Sequence, residues 1–165
     1  MIYTSYFAKL KSLPKDIIPI SICAKAPNWY KGLQYKALAP TYDILMKYKQ
    51  DDNIEDYIKN FYDKVLNKLN PSEVVFDLDR LADKDNTYYS YNICLLCYEK
   101  PSDFCHRHLV AEWLRKDGYE CEEWTGWPHK NVILWGNRYD FWWKFERVLF
   151  RYDSKRNKGL FQREL

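Results

Sequence analysis

The chain has 165 residues, of which 47% are hydrophobic and 30% are charged, and its formal net charge is +3. This length suits one domain with its own core, and the composition excludes a disordered or collagen-like chain. No apolar run reaches the roughly 20 residues of a membrane helix, and the opening MIYTSYFAKLKSLPK lacks the apolar stretch of a signal peptide. We therefore expect an intracellular, cytoplasmic protein whose five cysteines are reduced.

The first 40 residues predict two strands and a long loop. Alternation over residues 1–7 indicates a first strand, and the β-branched run at 17–23 indicates a second. Pro19 favours a sheet edge or a strand start for that second strand, because proline has no N–H to donate. Residues 24–40 contain breakers and no periodicity, so we predict a long loop of the kind that is often functional.

A group of helices is predicted next. Thr41 favours the start of a helix that runs to residue 50. Apolar residues then recur at the helical period over 54–69, which predicts a second helix. Asn70 and Pro71 are typical of a helix start, and they predict a third helix over about 71–82. The polar stretch 83–91 predicts a loop.

A strand, a loop, a helix and a strand follow in that order. The apolar run 92–97 indicates a buried strand. Helical periodicity begins at about residue 103 or 104 and ends near Gly118, and residues 119–124 alternate as a further strand. This order is a βαβ unit, so we predict an α/β, Rossmann-like fold with a mostly parallel sheet flanked by helices.

The end of the chain is rich in aromatic and basic residues. Five of the seven tryptophans lie after residue 123, and residues 138–165 carry eight basic and four acidic side chains. We divide the chain into an α/β domain at 1–124 and an aromatic, basic C-terminal extension at 125–165, with a predicted helix at about 139–151. Aromatic rings stack on bases and cations neutralise phosphates, which fits a nucleotide or single-stranded nucleic acid. Helical spacing of its apolar residues favours packing on the same domain.

The densest group of reactive side chains lies at the strand-to-helix turn of the βαβ unit. Cys97 and Glu99 end the strand, and Cys105 begins the helix with two basic residues after it. Ligands bind at the carboxyl ends of strands in open α/β sheets, and a helix N-terminus favours anions and thiolates. We predict that Cys97, Glu99 and Cys105 are catalytic, with a cysteine thiolate as nucleophile and Glu99 as acid/base or ribose contact. His106 and Arg107 are predicted to bind the anion.

Each of these residues also has a purely structural explanation. A buried Cys97 or Cys105 can be a small packing residue, and Arg107 can pair with Glu112 or another acid on the surface. His106 and His108 are two residues apart, so only one of them can face the site.

A zinc site and a redox pair are the chemical alternatives for the cysteines. Cys94-x-x-Cys97 followed by Cys105 is similar to zinc-ligand spacing. However, residues three apart in a strand face opposite sides of the sheet. We therefore predict no metal and no cofactor, while a redox pair of Cys97 with Cys105 stays open.

The segment ICLLCYEKPSDFCHRHLVAEWL resembles the signature of the family known as domain of unknown function 488. In that signature, Leu-Leu-Cys-x-Glu ends an apolar strand and Cys-His-Arg opens the next helix. MIYTSYFAKL, the PISI strand and Trp29-Tyr30-x-Gly32 are similar to a short branch of the family, and the resemblance covers about residues 1–124. The resemblance implies a Rossmann-like domain and the same five site residues, namely Cys97, Glu99, Cys105, His106 and Arg107. The family brings no established reaction. Longer members have Asp-Val-Arg where this chain has 21–25, and Lys25 there is a further candidate for anion binding.

Three functional hypotheses follow from the sequence. The leading one is an intracellular enzyme that acts on a nucleotide or a nucleic-acid base through the Cys/Glu/His/Arg site. The alternatives are a non-catalytic module that binds a nucleotide, a nucleic acid or a protein, and a thiol redox protein.

Overall fold

A five-stranded, all-parallel sheet forms the centre of the fold, in the strand order β3-β2-β4-β1-β5. The computed structural model describes residues 1–83 and 92–126. The strands are β1 (Ile2–Tyr6), β2 (Ile17–Ser21), β3 (Leu33–Gln34), β4 (Asn92–Cys97) and β5 (Cys121–Glu123). The helices are α1 (Tyr42–Asp51), α2 (Ile54–Lys64), α3 (Pro71–Ala82) and α4 (His106–Lys116). The predicted α/β, Rossmann-like class is confirmed.

The central strand is β4, as its continuous apolar sequence predicts. It pairs along its length with β1 on one side and with β2 on the other. Five of its six residues are buried, because a strand covered on both faces has no solvent side. The register pairs Ser21 with Leu96 and Tyr6 with Cys97. The carboxyl ends of β1, β2 and β4 therefore meet at one edge of the sheet.

The predicted βαβ unit consists of β4, α4 and β5, with β1 inserted between its two strands. The apolar face of α4 is buried, with Leu109 and Leu114 fully inaccessible to solvent. Its first residue is His106 rather than residue 103 or 104, because a backbone turn from Asp103 N–H to the Lys100 carbonyl occupies that segment. Cys105 is the N-cap residue of the helix.

The helices before β4 begin where the sequence predicts. Thr41 precedes α1, and the Asn70 side chain accepts a hydrogen bond from the Ser72 N–H at the start of α3. The prediction of one helix over 54–69 is wrong at its C-terminal end, since α2 ends at Lys64 and a short 3-10 helix follows at Leu66–Lys68. Val65 and Leu66 are both buried, and a change of helix geometry accommodates two consecutive core residues.

The prediction that Pro19 lies at a sheet edge or a strand start is wrong, because Pro19 is the middle residue of β2. β2 is an inner strand, but β3 pairs only with its last two residues, Ile20 and Ser21. In a parallel strand, alternate residues direct their backbone groups to opposite neighbours. The nitrogen of Pro19 therefore faces the side of β2 on which β3 lies, at a point beyond the end of β3. The Tyr30 hydroxyl occupies this side, donating to the Pro19 carbonyl at 2.9 Å.

The long loop at 24–40 contains β3, and its Tyr-x-Gly sequence has a packing reason. The Tyr30 hydroxyl would lie 2.5 Å from a Cβ at position 32, so only glycine fits beside this ring without a shift. The first compact unit of the chain, Met1–Pro128, contains the whole sheet. The predicted helix at 139–151, the packing of the C-terminal extension and most of the 83–91 loop lie outside the described residues. Within those residues, no helix has both the length and the apolar character to cross a membrane.

Candidate functional site

Three predicted site residues converge at the carboxyl edge of β2 and β4. Cys97 is the last residue of β4, while Cys105 and His106 begin α4. The two sulfur atoms and a ring nitrogen of His106 all lie within 4.8 Å of one another. All three side chains are buried.

Cys97 is the centre of this group. Its Sγ lies 3.6 Å from His106 Nδ1, 3.5 Å from Cys23 Sγ and 3.4 Å from Glu99 Oε2. Glu99 is half-buried, whereas Cys23 is only 3% exposed. We refer to Cys23, Cys97, Cys105 and His106 as the thiol cluster, with Glu99 at its rim.

His106 is held with one ring nitrogen facing the thiols. Its Nε2 lies 3.0 Å from the carbonyl oxygen of Ile22, which can only accept a hydrogen bond, so Nε2 carries a proton. The ring packs edge-on against Phe61. His108 instead lies 3.9 Å from a carboxylate oxygen of Glu123. The structure thus directs one of the two histidines into the cluster.

Arg107 is fully buried beside the cluster and binds other protein groups. Its Nε and Nη2 donate to the two carboxylate oxygens of Glu123 at 3.3 and 3.1 Å. Its Nη1 donates to the Glu99 carbonyl at 2.7 Å. Thr4 donates a further hydrogen bond to Glu123. Arg107 therefore joins α4 to β5 and fixes the backbone of Glu99.

The surroundings of Cys105 favour its thiolate form. Burial opposes its ionisation, but hydrogen bonds from Cys97 and His106 outweigh burial and place the pKa of Cys105 well below its ordinary value. The pKa of Cys97 is raised, first by its hydrogen bond with Cys105, then by its hydrogen bond with Cys23, and then by burial.

The acid and base groups around Cys105 respond to that negative charge. Burial opposes the charged form of His106, but the hydrogen bond and charge of Cys105 raise its pKa above the ordinary value. The pKa of Glu99 is also raised, first by burial and then by the charge of Cys105. The arrangement places a sulfur with a lowered pKa beside an imidazole and a carboxyl group whose pKa values are raised, which is a combination suited to nucleophilic and acid–base chemistry.

Cys23 is a member of the cluster that the sequence analysis missed. Its hydrogen bond with Cys97 lowers its pKa despite burial. Burial raises the pKa of Cys94 and raises that of Cys121 to about 12, which separates these two cysteines from the cluster. The position of Cys23 in the sequence could have indicated its place in the cluster, because Cys23 follows β2 by two residues and the strand ends meet at this edge.

Lys25 and two aromatic rings line the exposed part of the same edge. The Lys25 side chain is exposed, and its carbonyl accepts a hydrogen bond from the Tyr98 hydroxyl at 2.8 Å. Tyr98 is 49% exposed and Trp29 is 60% exposed. Both rings pack edge-on against Phe7, with centroid distances of 5.2 and 5.8 Å. These rings present aromatic surface to solvent beside the cluster.

The fold and the site define a Rossmann-like α/β protein with a cysteine–histidine cluster at the carboxyl edge of its sheet. A family model described as the active DUF488-N3 subclade matches residues 6–118, which include both halves of the Cys-x-Glu and Cys-His-Arg signature. The chain belongs to this family, and the predicted resemblance is confirmed. No curated protein and no solved structure matched this chain.

Proposed function

We propose that the protein is a cytoplasmic enzyme that acts on a nucleotide or a nucleic-acid base bound at the carboxyl ends of β2 and β4. The observation that carries this proposal is the convergence of Cys97, Cys105 and His106 within 4.8 Å at that edge. Such edges are where α/β proteins bind ligands. The description of the matching subclade as active supports catalysis.

The roles of the side chains follow from their positions. Cys105, at the N-cap of α4, is the nucleophile whose sulfur forms a bond to an electrophilic carbon of the substrate. Glu99 gives a proton to the group that departs, since it lies half-buried at the rim of the cluster. His106 holds its ring beside the sulfurs and balances the charge of the thiolate. Arg107 positions Glu99 through its backbone carbonyl.

A nucleotide suits the exposed part of this edge. Trp29 and Tyr98 offer ring surface on which a base can stack. Lys25 offers a cation for a phosphate, and among the described residues no hydrogen bond or ion pair engages its ammonium group. The helix N-terminus adds backbone N–H groups that favour an anion. The basic, aromatic extension predicted at 125–165 has the composition of a segment that binds a polynucleotide.

The test is equilibrium binding of nucleoside mono-, di- and triphosphates and of short single-stranded DNA and RNA. We expect the wild type to bind at least one member, and Glu99→Gln to weaken that binding by about tenfold or more, because a contact at the rim is lost. Glu55→Gln is the matched control, since Glu55 is exposed in the first turn of α2. Absence of binding by the wild type to every member would overturn the proposal.

A thiol redox protein is the second candidate, favoured by the 3.5 Å separation of the Cys23 and Cys97 sulfurs. Hydrogen peroxide would take two electrons and two protons from a pair of thiols, leaving a disulfide and water. We expect mild peroxide to join Cys97 to Cys23 or Cys105, as mapped by mass spectrometry, in the wild type and in Cys94→Ser alike. Free thiols at every position after treatment would refute this candidate.

A further inference from the structure

The thiol cluster has the donor set of a site for a thiophilic metal ion. Cys97, Cys105 and His106 place two sulfurs and a ring nitrogen within 4.8 Å of one another. In tetrahedral zinc sites the metal lies about 2.3 Å from sulfur and about 2.0–2.1 Å from nitrogen, which separates neighbouring ligand atoms by roughly 3.5–3.8 Å. The 3.6 Å between Cys97 Sγ and His106 Nδ1 falls in that range.

The orientation of His106 suits a metal ligand. The Nε2 proton is directed at the Ile22 carbonyl at 3.0 Å, so Nδ1, which faces the sulfurs, is the nitrogen that can release its proton and bind a metal. A hydrogen bond from the second ring nitrogen to a backbone carbonyl is a typical way of fixing a metal-binding histidine.

Two further groups stand next to the three ligands. Cys23 Sγ lies 3.5 Å from Cys97 Sγ, and Glu99 Oε2 lies 3.4 Å from the same sulfur. Both are residue types that bind zinc, but neither belongs to the group whose ligand atoms all lie within 4.8 Å of one another. The residue that sequence spacing suggested, Cys94, is not in this group among the described residues. Cys94 and Cys97 are three residues apart in β4, so their side chains face opposite sides of the sheet and Cys94 lies away from the other ligands.

We propose that Cys97, Cys105 and His106 bind Zn²⁺ and that the bound metal masks the nucleophile. Thiolate and imidazole ligands select zinc over magnesium or calcium. This inference rests on the proposed function, because it assigns to Cys105 both the attack on substrate and the binding of metal. A thiolate bonded to zinc shares its charge with the metal and is a weaker nucleophile, so zinc would hold the enzyme at low activity until a chelator removes it.

The experiment uses Co²⁺ and Zn²⁺ alone, added to the reduced full chain after treatment with a chelator. We expect Co²⁺ to give the thiolate charge-transfer absorption of a cysteine-ligated ion, and Zn²⁺ to displace it. Cys97→Ser and Cys105→Ser should each weaken binding by about 100-fold or more, because each removes a ligand. His106→Gln gives a third test, and circular dichroism reports whether each variant folds.

Cys121→Ser is the matched control, since Cys121 is buried in β5 and outside the cluster. It should bind Co²⁺ as the wild type does. Cys23→Ser tests the fourth position through the intensity of the same absorption band. Absence of the band in the wild type, or equal weakening by Cys121→Ser, would overturn the inference.

Masking is measured separately, through alkylation of each cysteine with and without Zn²⁺. We expect Zn²⁺ to protect Cys97 and Cys105 and to leave the rate at Cys121 unchanged; unprotected Cys105 in the zinc-bound protein would overturn masking. Nucleotide binding in the presence of chelator distinguishes the two proposals. Nucleotide binding without metal binding removes only the zinc inference, and metal binding without nucleotide binding removes the proposed function.

Discussion

Arg107→Ala is expected to lower the free energy of unfolding by about 3–5 kcal/mol. The guanidinium is fully buried and binds both carboxylate oxygens of Glu123, whose side chain is 17% exposed. Its removal leaves a mostly buried carboxylate without its cation and the Glu99 carbonyl without its donor. Most of the cost therefore comes from desolvated groups that lose their partner.

Urea unfolding measures this change, with Lys59→Ala as the control. Lys59 pairs with Asp63 on the surface of α2, where such a pair contributes about 0.3–0.5 kcal/mol. We expect Glu123→Gln in the Arg107→Ala background to recover part of the loss, because it removes the buried charge. An Arg107→Ala variant as stable as Lys59→Ala would contradict the account of a buried pair.

Cys105→Ala is expected to reduce turnover of the nucleotide substrate by about 10³-fold or more, a loss of about 4 kcal/mol of transition-state stabilisation. The variant removes the sulfur that we propose as the nucleophile and leaves the surrounding helix N-terminus in place. Binding of the substrate should change by about threefold or less, because Cys105 is 3% exposed and contributes little ground-state contact area.

Cys121→Ala is the matched control for a buried cysteine remote from the cluster, and its turnover should equal that of the wild type. If the protein is instead a non-catalytic binding module, substitutions in the thiol cluster should have no effect on its function. In that case Cys97→Ser combined with Cys105→Ser would leave function intact. Retained function in this double variant would remove the catalytic role of the thiols.

Most of the fold was predictable because its signals are local. A continuous apolar run of six residues at 92–97 indicated a strand covered on both faces, and it is the central strand β4. Asn70 and Pro71 fixed the start of α3 through cap chemistry. The break at Val65 was not predictable from the helical period, because Leu66 continues an apolar pattern while the backbone changes geometry.

The missing parts of the site depend on strand order, which local patterns do not encode. Cys23 and Cys97 are 74 residues apart in sequence and meet only because β2 and β4 are neighbours. Glu123 reaches Arg107 because β1 lies between β4 and β5 and brings β5 under α4. The sequence therefore predicted Arg107 as an anion-binding residue and left its internal partner undetermined.

Alkylation of each cysteine, mapped by mass spectrometry in reductant and chelator, tests most directly whether the thiols and the nucleotide share one site. The rates are compared with and without the tightest-binding nucleotide of the panel. We predict that Cys105, whose pKa is lowered, reacts faster than Cys94 and Cys121, and that the nucleotide slows its alkylation by about tenfold or more. Equal rates at all five cysteines, or rates at Cys105 that no nucleotide changes, would contradict the account.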